Sequence, residues 1–306
     1  MRLKIDTMTI PRNLDVPGYL ARLGLDRRPE PTVDTLFALQ RAHVERVAYE
    51  NIEIHLERLT TVDPLESAAR IVGGRGGYCF HLNGAFSALL GELGFDVTRH
   101  LGEVRGAVAD AANSPDLKVN HMVLTVRIGE EAWFVDTGLG DALHEPIPLR
   151  AGENKQGPFT YGFAPWTAVD DGWRFVHDPA AQSYTSMVFT ADPVRIKAFA
   201  LAHKHLSTSP ESSFVKALSV GRRDADGFDV LRGRVLTRND GTGTQARTLE
   251  SPTDWFACLA EVFDLPLHDV DAEARQKLWL RVSAAHEAWL VSEAENAAAA
   301  AAGAPT

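Results

Sequence analysis

The chain has 306 residues, 45% hydrophobic and 24% charged, and its 31 Lys and Arg against 41 Asp and Glu leave a formal net charge of −10. That composition is typical of a folded globular protein, and its acidity argues against nucleic acid or an anionic membrane as the main partner, because both select basic faces. Two cysteines, Cys79 and Cys258, make no disulfide framework, and neither a signal peptide nor an apolar run of about 20 residues is found, so a reduced, cytoplasmic protein is expected.

The first 95 residues read mostly as helix. Leu36, Leu39, Gln40, His43 and Val47 share one helical face, and Asp63 with Pro64 opens a second helix that runs to Val72. Next comes RGGYCFHLN, Arg75 to Asn83, behind a turn in which Gly73, Gly74, Gly76 and Gly77 relax the backbone. Leu82, Phe86, Leu89, Leu90 and Leu93 then recur at three- and four-residue spacing, with Gly94 as the stop. This places Cys79 at a helix N-terminus, where unpaired N–H groups and the helix dipole favour a thiolate.

Between Asp96 and Val188 the pattern changes to short β-rich runs, as in Asp96–Arg99, His121–Ile128 and Ala132–Asp136, with a polar loop over Ala109–Lys118. An antiparallel sheet or barrel is expected. Beyond Asp192 the signals mix: a helix over Val194–His203, a strand over Phe228–Leu236, and a helix starting near Pro252 that carries Trp255, Phe256, Leu259 and Phe263. A long helix follows over Ala272–Glu295 with Leu278, Val282 and Trp289, and Ala297–Ala302 reads as its frayed end or a tail. The expected class is α+β, with helical residues 1–95, β-rich residues 96–192 and mixed residues 193–306.

A cysteine nucleophile needs a base, and the base needs a group to orient it. His121 opens the strand HMVLTVRI and Asp136 closes AWFVD, with Gly129-Glu130 as a two-residue turn between them. In that register Ile128 faces Glu131, Asp136 lies opposite Val123, and Asp136 becomes the diagonal neighbour of His121, about 7–8 Å away between backbones. Such a carboxylate fixes the imidazole tautomer and leaves the other ring nitrogen free for the thiol proton. Taken singly, each residue has an ordinary explanation: a cysteine in a helix is usually core, a histidine at a strand start usually surface or core, and Asp before Gly-Leu-Gly a turn residue. The combination is what points to chemistry.

Competing sites fail. There is no G-x-S-x-G elbow, P-loop or H-E-x-x-H, since His286-Glu287 is followed by Ala288, Trp289 and Leu290. His203 and His205 lack further metal ligands at suitable spacing, so no metal is expected, and Cys258 beside Phe256 and Leu259 reads as core.

The motifs RGGYCF, NHMVL, FVDTGLG, AYENIEI and STSPESSF, spread over about residues 45–215, resemble those of the arylamine N-acetyltransferase family. The resemblance implies a helical N-terminal domain carrying the cysteine, a β-barrel domain carrying His and Asp, and an α/β lid around a papain- or transglutaminase-like core. It also implies a triad of Cys79 as nucleophile, His121 as base and later acid, and Asp136 as orienting carboxylate. Tyr49, where relatives commonly have Phe, and Leu139 between Gly138 and Gly140 would line the acceptor pocket; Arg75 and Glu50 would form a structural ion pair holding the cysteine loop. His81 and Ala48 depart from the family pattern, His81 standing where relatives often carry Glu or Gln; helical geometry turns it away from the thiol.

The implied reaction moves acetyl from acetyl-CoA, or another acyl-CoA, to arylamines, arylhydrazines or arylhydroxylamines through an acetyl-Cys79 intermediate, with no permanently bound cofactor. Alternatives are an amide synthase that releases or cyclises a carrier-bound polyketide, a cysteine hydrolase or transamidase, and a non-catalytic binding protein. The acceptor, the preferred acyl chain and the oligomeric state are left open.

Overall fold

The structure, a computed structural model, describes residues 13–302 apart from 108, 110–112 and 182, with side chains through residue 295. Helices α1 (Val16–Arg22), α2 (Val33–Arg46), α3 (Ile52–His55), α4 (Pro64–Val72) and α5 (Cys79–Glu92) build the first part, with one short strand, β1 (Tyr49–Glu50), among them. Local chemistry sets their ends. Thr32 caps α2 by accepting from the Thr35 N–H at 3.2 Å, and Asp63 caps α4 by accepting from that of Leu65 at 2.8 Å. Gly94, at φ 95°, closes α5 in the left-handed region, as its position in the sequence predicts.

The turn before Cys79 works differently from the sequence reading. Of its glycines only Gly74 takes a left-handed φ, 83°. Gly76 is required by crowding, because a Cβ there would lie 2.0 Å from the Ala48 carbonyl oxygen. Strand β1 makes that close approach: Tyr49 bridges Gly77, and the Glu50 N–H donates to the Gly77 carbonyl at 2.9 Å.

Eight antiparallel strands follow: β2 (Asp96–Arg105), β3 (His121–Ile128), β4 (Glu131–Val135), β5 (Ile147–Pro148), β6 (Gly152–Gln156), β7 (Phe159–Pro165), β8 (Gly172–Val176) and β9 (Ser186–Thr190). They lie in the order β5-β4-β3-β2-β9-β8-β7-β6 and curl into a nearly closed barrel. Gln156, at the end of β6, accepts from the N–H groups of His144 and Glu145 at 2.9 and 3.1 Å and donates to the Glu145 carbonyl at 2.8 Å. Those bonds tie the last strand to the chain leading into β5. The β3–β4 register matches expectation, with Ile128 opposite Glu131 and Leu124 opposite Val135 across a turn that starts at Gly129, φ 61°.

Alternation along these strands divides their side chains between two cores. Val123, Phe134, Phe163, Phe175, Met187 and Phe189 fill the barrel, whereas Met122, Leu124, Val126 and Val135 pack against Leu82, Phe86 and Leu89 of α5. The helix that begins at Cys79 is therefore pressed on the outside of the hairpin that carries His121 and Asp136. The polar loop expected over Ala109–Lys118 lies partly outside the described residues.

A 3₁₀ turn (Ile196–Phe199) leads into α6 (Ala200–Thr208) and α7 (Ser213–Lys216), then strands β10 (Ser219–Arg223), β11 (Phe228–Arg232), β12 (Val235–Asn239) and β13 (Thr244–Thr248). The single strand expected over Phe228–Leu236 is corrected to a hairpin: Arg232 pairs with Val235 around Gly233, φ 58°. These strands form a second sheet in the order β1-β10-β11-β12-β13, with Tyr49 opposite Gly221. Helix α8 (Pro252–Phe263) starts at its Ser251 cap, and α9 spans Ala272–Ala302, so its backbone stays helical through the alanine run. Cys258 is core, packed with Trp255, Leu259 and Phe263, and burial pushes its thiol up to about 11. Among the described residues no helix is long and apolar enough to cross a membrane.

Candidate active site

Cys79 is the first residue of α5, His121 the first of β3, and Asp136 follows β4 directly; all three are buried. The structure brings them together. His121 Nε2 donates to Asp136 Oδ2 at 2.6 Å, and Cys79 is close enough for its sulfur to act on the charge of the same imidazole. With Nε2 engaged by the carboxylate, Nδ1 is the nitrogen left for the sulfur. The Cys79 thiol also donates to the Asn120 carbonyl at 3.5 Å, and Asn120 is itself held by its amide, which bonds the Val104 N–H and C=O at 2.7 and 3.1 Å. Burial opposes a charged His121, yet the Asp136 carboxylate and the Cys79 sulfur together push it up to about 10.

Asp136 is fixed from three sides. Its Oδ1 accepts from the Gly138 N–H at 2.8 Å and from Asn83 Nδ2 at 3.0 Å, while its backbone N–H donates to Gln40 Oε1 at 3.3 Å. Asn83 also donates to the Met122 carbonyl at 2.7 Å, and its Oδ1 accepts from the Thr137 N–H and hydroxyl at 2.8 and 3.0 Å. The motif RGGYCFHLN contains Asn83 but does not by itself assign it a role. Its spacing four residues beyond Cys79, hence on the same helix face, was the available signal. Gly138 is needed for proximity: a Cβ there would lie 2.6 Å from the Cys79 Cα.

Tyr49, Leu139 and Gly140 lie together. With Asp136 and Thr137 they line a cavity of about 10 Å³, room for roughly one water. Tyr49 is half-buried, its ring perpendicular to Phe214 of the STSPESSF segment at 6.5 Å; burial and then the nearby Cys79 raise its phenol pKa. Gly138 instead packs on Cys79. The expected Arg75–Glu50 pair is present at 3.6 Å, but Arg75 sits closer to Glu53, at 2.7 Å, and to Asp269, at 2.9 Å.

His81 is buried against Tyr78 and His203, ring centroids 4.3 and 5.4 Å away, and neither ring nitrogen has a hydrogen-bond partner. Burial, with Arg70 and His203 nearby, drives its pKa well below 6.5, so it is a neutral packing group. His203 is engaged by the Tyr78 hydroxyl and the Thr60 carbonyl, both at 2.7 Å, and among the described residues no group of three or more ligands could hold a metal.

A profile of the N-acetyltransferase family matches residues 32–272. The chain is 30% identical over 272 residues to an arylamine N-acetyltransferase of Mycolicibacterium smegmatis, covering 86% of this chain and 97% of the relative. The chain belongs to the arylamine N-acetyltransferase family. Among solved arylamine N-acetyltransferases, that of Mycobacterium abscessus superposes with a TM-score of 0.78 at 28% identity, covering 88% of this chain and 95% of its own. That of Mycobacterium marinum in complex with CoA gives 0.77 at 26% identity over 88% of this chain and 98% of its own. The chain therefore has an arylamine N-acetyltransferase fold over most of its length.

Proposed function

We propose that this chain transfers acetyl from acetyl-CoA to aromatic amines in two steps through an acetyl-Cys79 intermediate. The observation that carries the reading is the His121 imidazole held at Nε2 by Asp136, with the Cys79 sulfur 3.5 Å from the carbonyl of the preceding residue, Asn120. An imidazolium beside a sulfur is the counter-ion that a thiolate nucleophile needs. In the first step the Cys79 sulfur attacks the thioester carbonyl, the bond from that carbon to CoA sulfur breaks, and CoA leaves with the proton His121 supplies. In the second, the amine nitrogen attacks the acetyl carbon, gives its proton to His121, and expels the Cys79 sulfur.

Exchanging one thioester for another costs little, so the covalent intermediate splits a hard reaction into two easier ones. The Cys79 N–H, at the start of α5, is the candidate oxyanion donor. Tyr49, Leu139, Gly138 and Gly140 would shape the acceptor pocket, and Arg75 with Glu50 would hold the cysteine loop. In this reading residues 1–95 supply the thiol, 96–192 the His and Asp, and 193–306 the lid. The CoA complex of the Mycobacterium marinum relative supports the donor, and a CoA donor with reduced thiols suits the cytoplasm.

The test is to incubate the protein with acetyl-CoA alone and weigh it. One acetyl group on Cys79, absent in Cys79→Ser and discharged by an aromatic amine, is expected. A folded protein that releases no CoA would overturn the reading; use of a carrier-bound acyl group in its place would point to an amide synthase.

A further inference from the structure

The barrel is open at the end of its strands that lies away from Cys79. Along β3, His121 stands opposite Gly102 of β2 at the end that carries the candidate active site, and Arg127 stands opposite Asp96 at the other. Thr125, four residues on from His121, is therefore about 14 Å away along the strand. Val123, Phe134 and Met187 fill the interior of the barrel. At the far end a cavity of about 280 Å³ opens among β2, β3, β8 and β9. An apolar cavity of about 150 Å³ admits benzene, so this one has room for two fused rings.

Its wall is aromatic and its floor polar. Trp173 pairs with Phe189 across β8 and β9 and is half-buried, and Phe189 packs on His100 with ring centroids 5.6 Å apart. His100 is buried, its Nδ1 3.2 Å from the Asp192 carbonyl and its Nε2 2.8 Å from the Thr125 hydroxyl. A carbonyl only accepts, so Nδ1 carries the ring proton; burial holds the pKa below 6.5, so the ring is neutral and Nε2 accepts from Thr125. The Thr125 hydroxyl has its hydrogen on His100 and offers the cavity lone pairs alone. Thr98, its cross-strand partner, lines the same cavity with a hydroxyl that bonds to no described residue. At the rim, exposed Asp96 and Arg127 pair across the strands, so a ligand anion meets the first and a cation the second.

We propose that this mouth of the barrel is a second small-molecule site, which takes a neutral two-ring aromatic compound bearing one N–H or O–H donor. The rings lie against Trp173 and Phe189, and the donor bonds Thr125 Oγ1. A ligand acceptor in that place would meet lone pairs, which is why the class is defined by a donor. The mouth of a β-barrel is a common place for such a site. It shares strands with the candidate active site but none of the residues assigned to it, so it stands whether or not acetyl transfer does.

The experiment titrates the full chain with indole in a calorimeter. One site per chain is expected, with a Kd below about 1 mM, within reach of a ligand this small. 1-Methylindole, which keeps the rings and loses the donor, should bind about three- to tenfold more weakly, the worth of one hydrogen bond. Thr98→Trp fills the cavity and should weaken indole by about tenfold or more in a protein with the wild-type urea midpoint. Crystals soaked in 5-bromoindole should place the bromine beside Trp173, and that result decides if Thr98→Trp does not fold. A wild type that binds no indole, equal binding of 1-methylindole, a folded Thr98→Trp with wild-type affinity, or bromine beside Cys79 overturns the inference.

Discussion

Asp136→Asn separates the charge of this carboxylate from its shape. Oδ1 is held by two donors, the Gly138 N–H at 2.8 Å and Asn83 Nδ2 at 3.0 Å, whereas Oδ2 accepts from His121 Nε2 at 2.6 Å. An asparagine amide keeps its oxygen toward the two donors, because the reverse would set an NH2 group against both. Its NH2 therefore faces His121 Nε2, which must accept, and the ring proton moves to Nδ1, toward Cys79. A neutral imidazole protonated there cannot take the thiol proton. The substitution also removes the larger of the two charges that lift His121 to about 10, leaving the Cys79 sulfur against burial, which lowers it. Reversing the tautomer in a His–Asp pair costs about 10⁴-fold in rate, or about 5 kcal/mol at 1.36 kcal/mol per tenfold. Stopped-flow CoA release from acetyl-CoA, beside a urea unfolding curve, measures it. A folded Asp136→Asn protein within about tenfold of the wild-type rate refutes the tautomer argument.

Gly138→Ala sets a Cβ 2.6 Å from the Cys79 Cα, and backbone must move to admit it. About 1–3 kcal/mol of lost stability is expected, with a fall in CoA release as the Asp136 turn shifts. Arg75→Met leaves buried Glu50 and Glu53 only the more distant guanidiniums of Arg70 and Arg58, each at 3.8 Å, for an expected loss of up to about 3–5 kcal/mol in urea unfolding; Asp269, half exposed, should add little. Stability should also depend on pH. His121 is raised from 6.5 to about 10 in the fold, so its contribution is fully present below pH 6.5 and lost as pH rises toward 10. That slope should shrink in Asp136→Asn, which leaves only the Cys79 sulfur to raise the imidazole. His81 is lowered, so its contribution is present above pH 6.5 and lost on acidification, and His81→Leu should flatten part of the acid limb of the urea midpoint.

What was legible in the sequence was local. The Gly129-Glu130 turn and the alternation on either side set the hairpin register, and so the diagonal placement of His121 and Asp136, within a span of 16 residues from His121 to Asp136. Glycine crowding followed by three- and four-residue spacing marked the start of α5 for the same reason. The links that hold the site together are long-range and leave no periodic trace: Asn83 reaches Asp136 across a sequence separation of 53, and Arg75 reaches Asp269 across 194. Strand β13 was missed because its five residues, Thr244–Thr248, are all exposed, so no apolar alternation marks them. The Phe228–Leu236 hairpin was read as one strand because Gly233-Arg234 interrupts an otherwise β-rich run by only two residues.

The turn from Asp136 to Gly140 joins two functions that could have been separate. Its first residue carries the carboxylate, its third packs on Cys79, and its fifth packs on Tyr49 at φ 78°. Gly138 can take no side chain without displacing Cys79, and Gly140 combines a left-handed backbone with contact against an aromatic ring. The path of the backbone is therefore set at both glycines, and a change of acceptor pocket that moved this backbone would move Asp136 with it. The side chains between and beyond them are under no such restriction: Leu139 lines the small cavity and Asp141 points to His177. On the proposed mechanism, acceptor preference can be retuned at Leu139 while the carboxylate stays in place. Substitutions at Leu139 should thus alter the ratios among acceptors more than the rate at which acetyl-CoA loads Cys79, and equal losses in both steps would mean that the turn does not insulate one from the other.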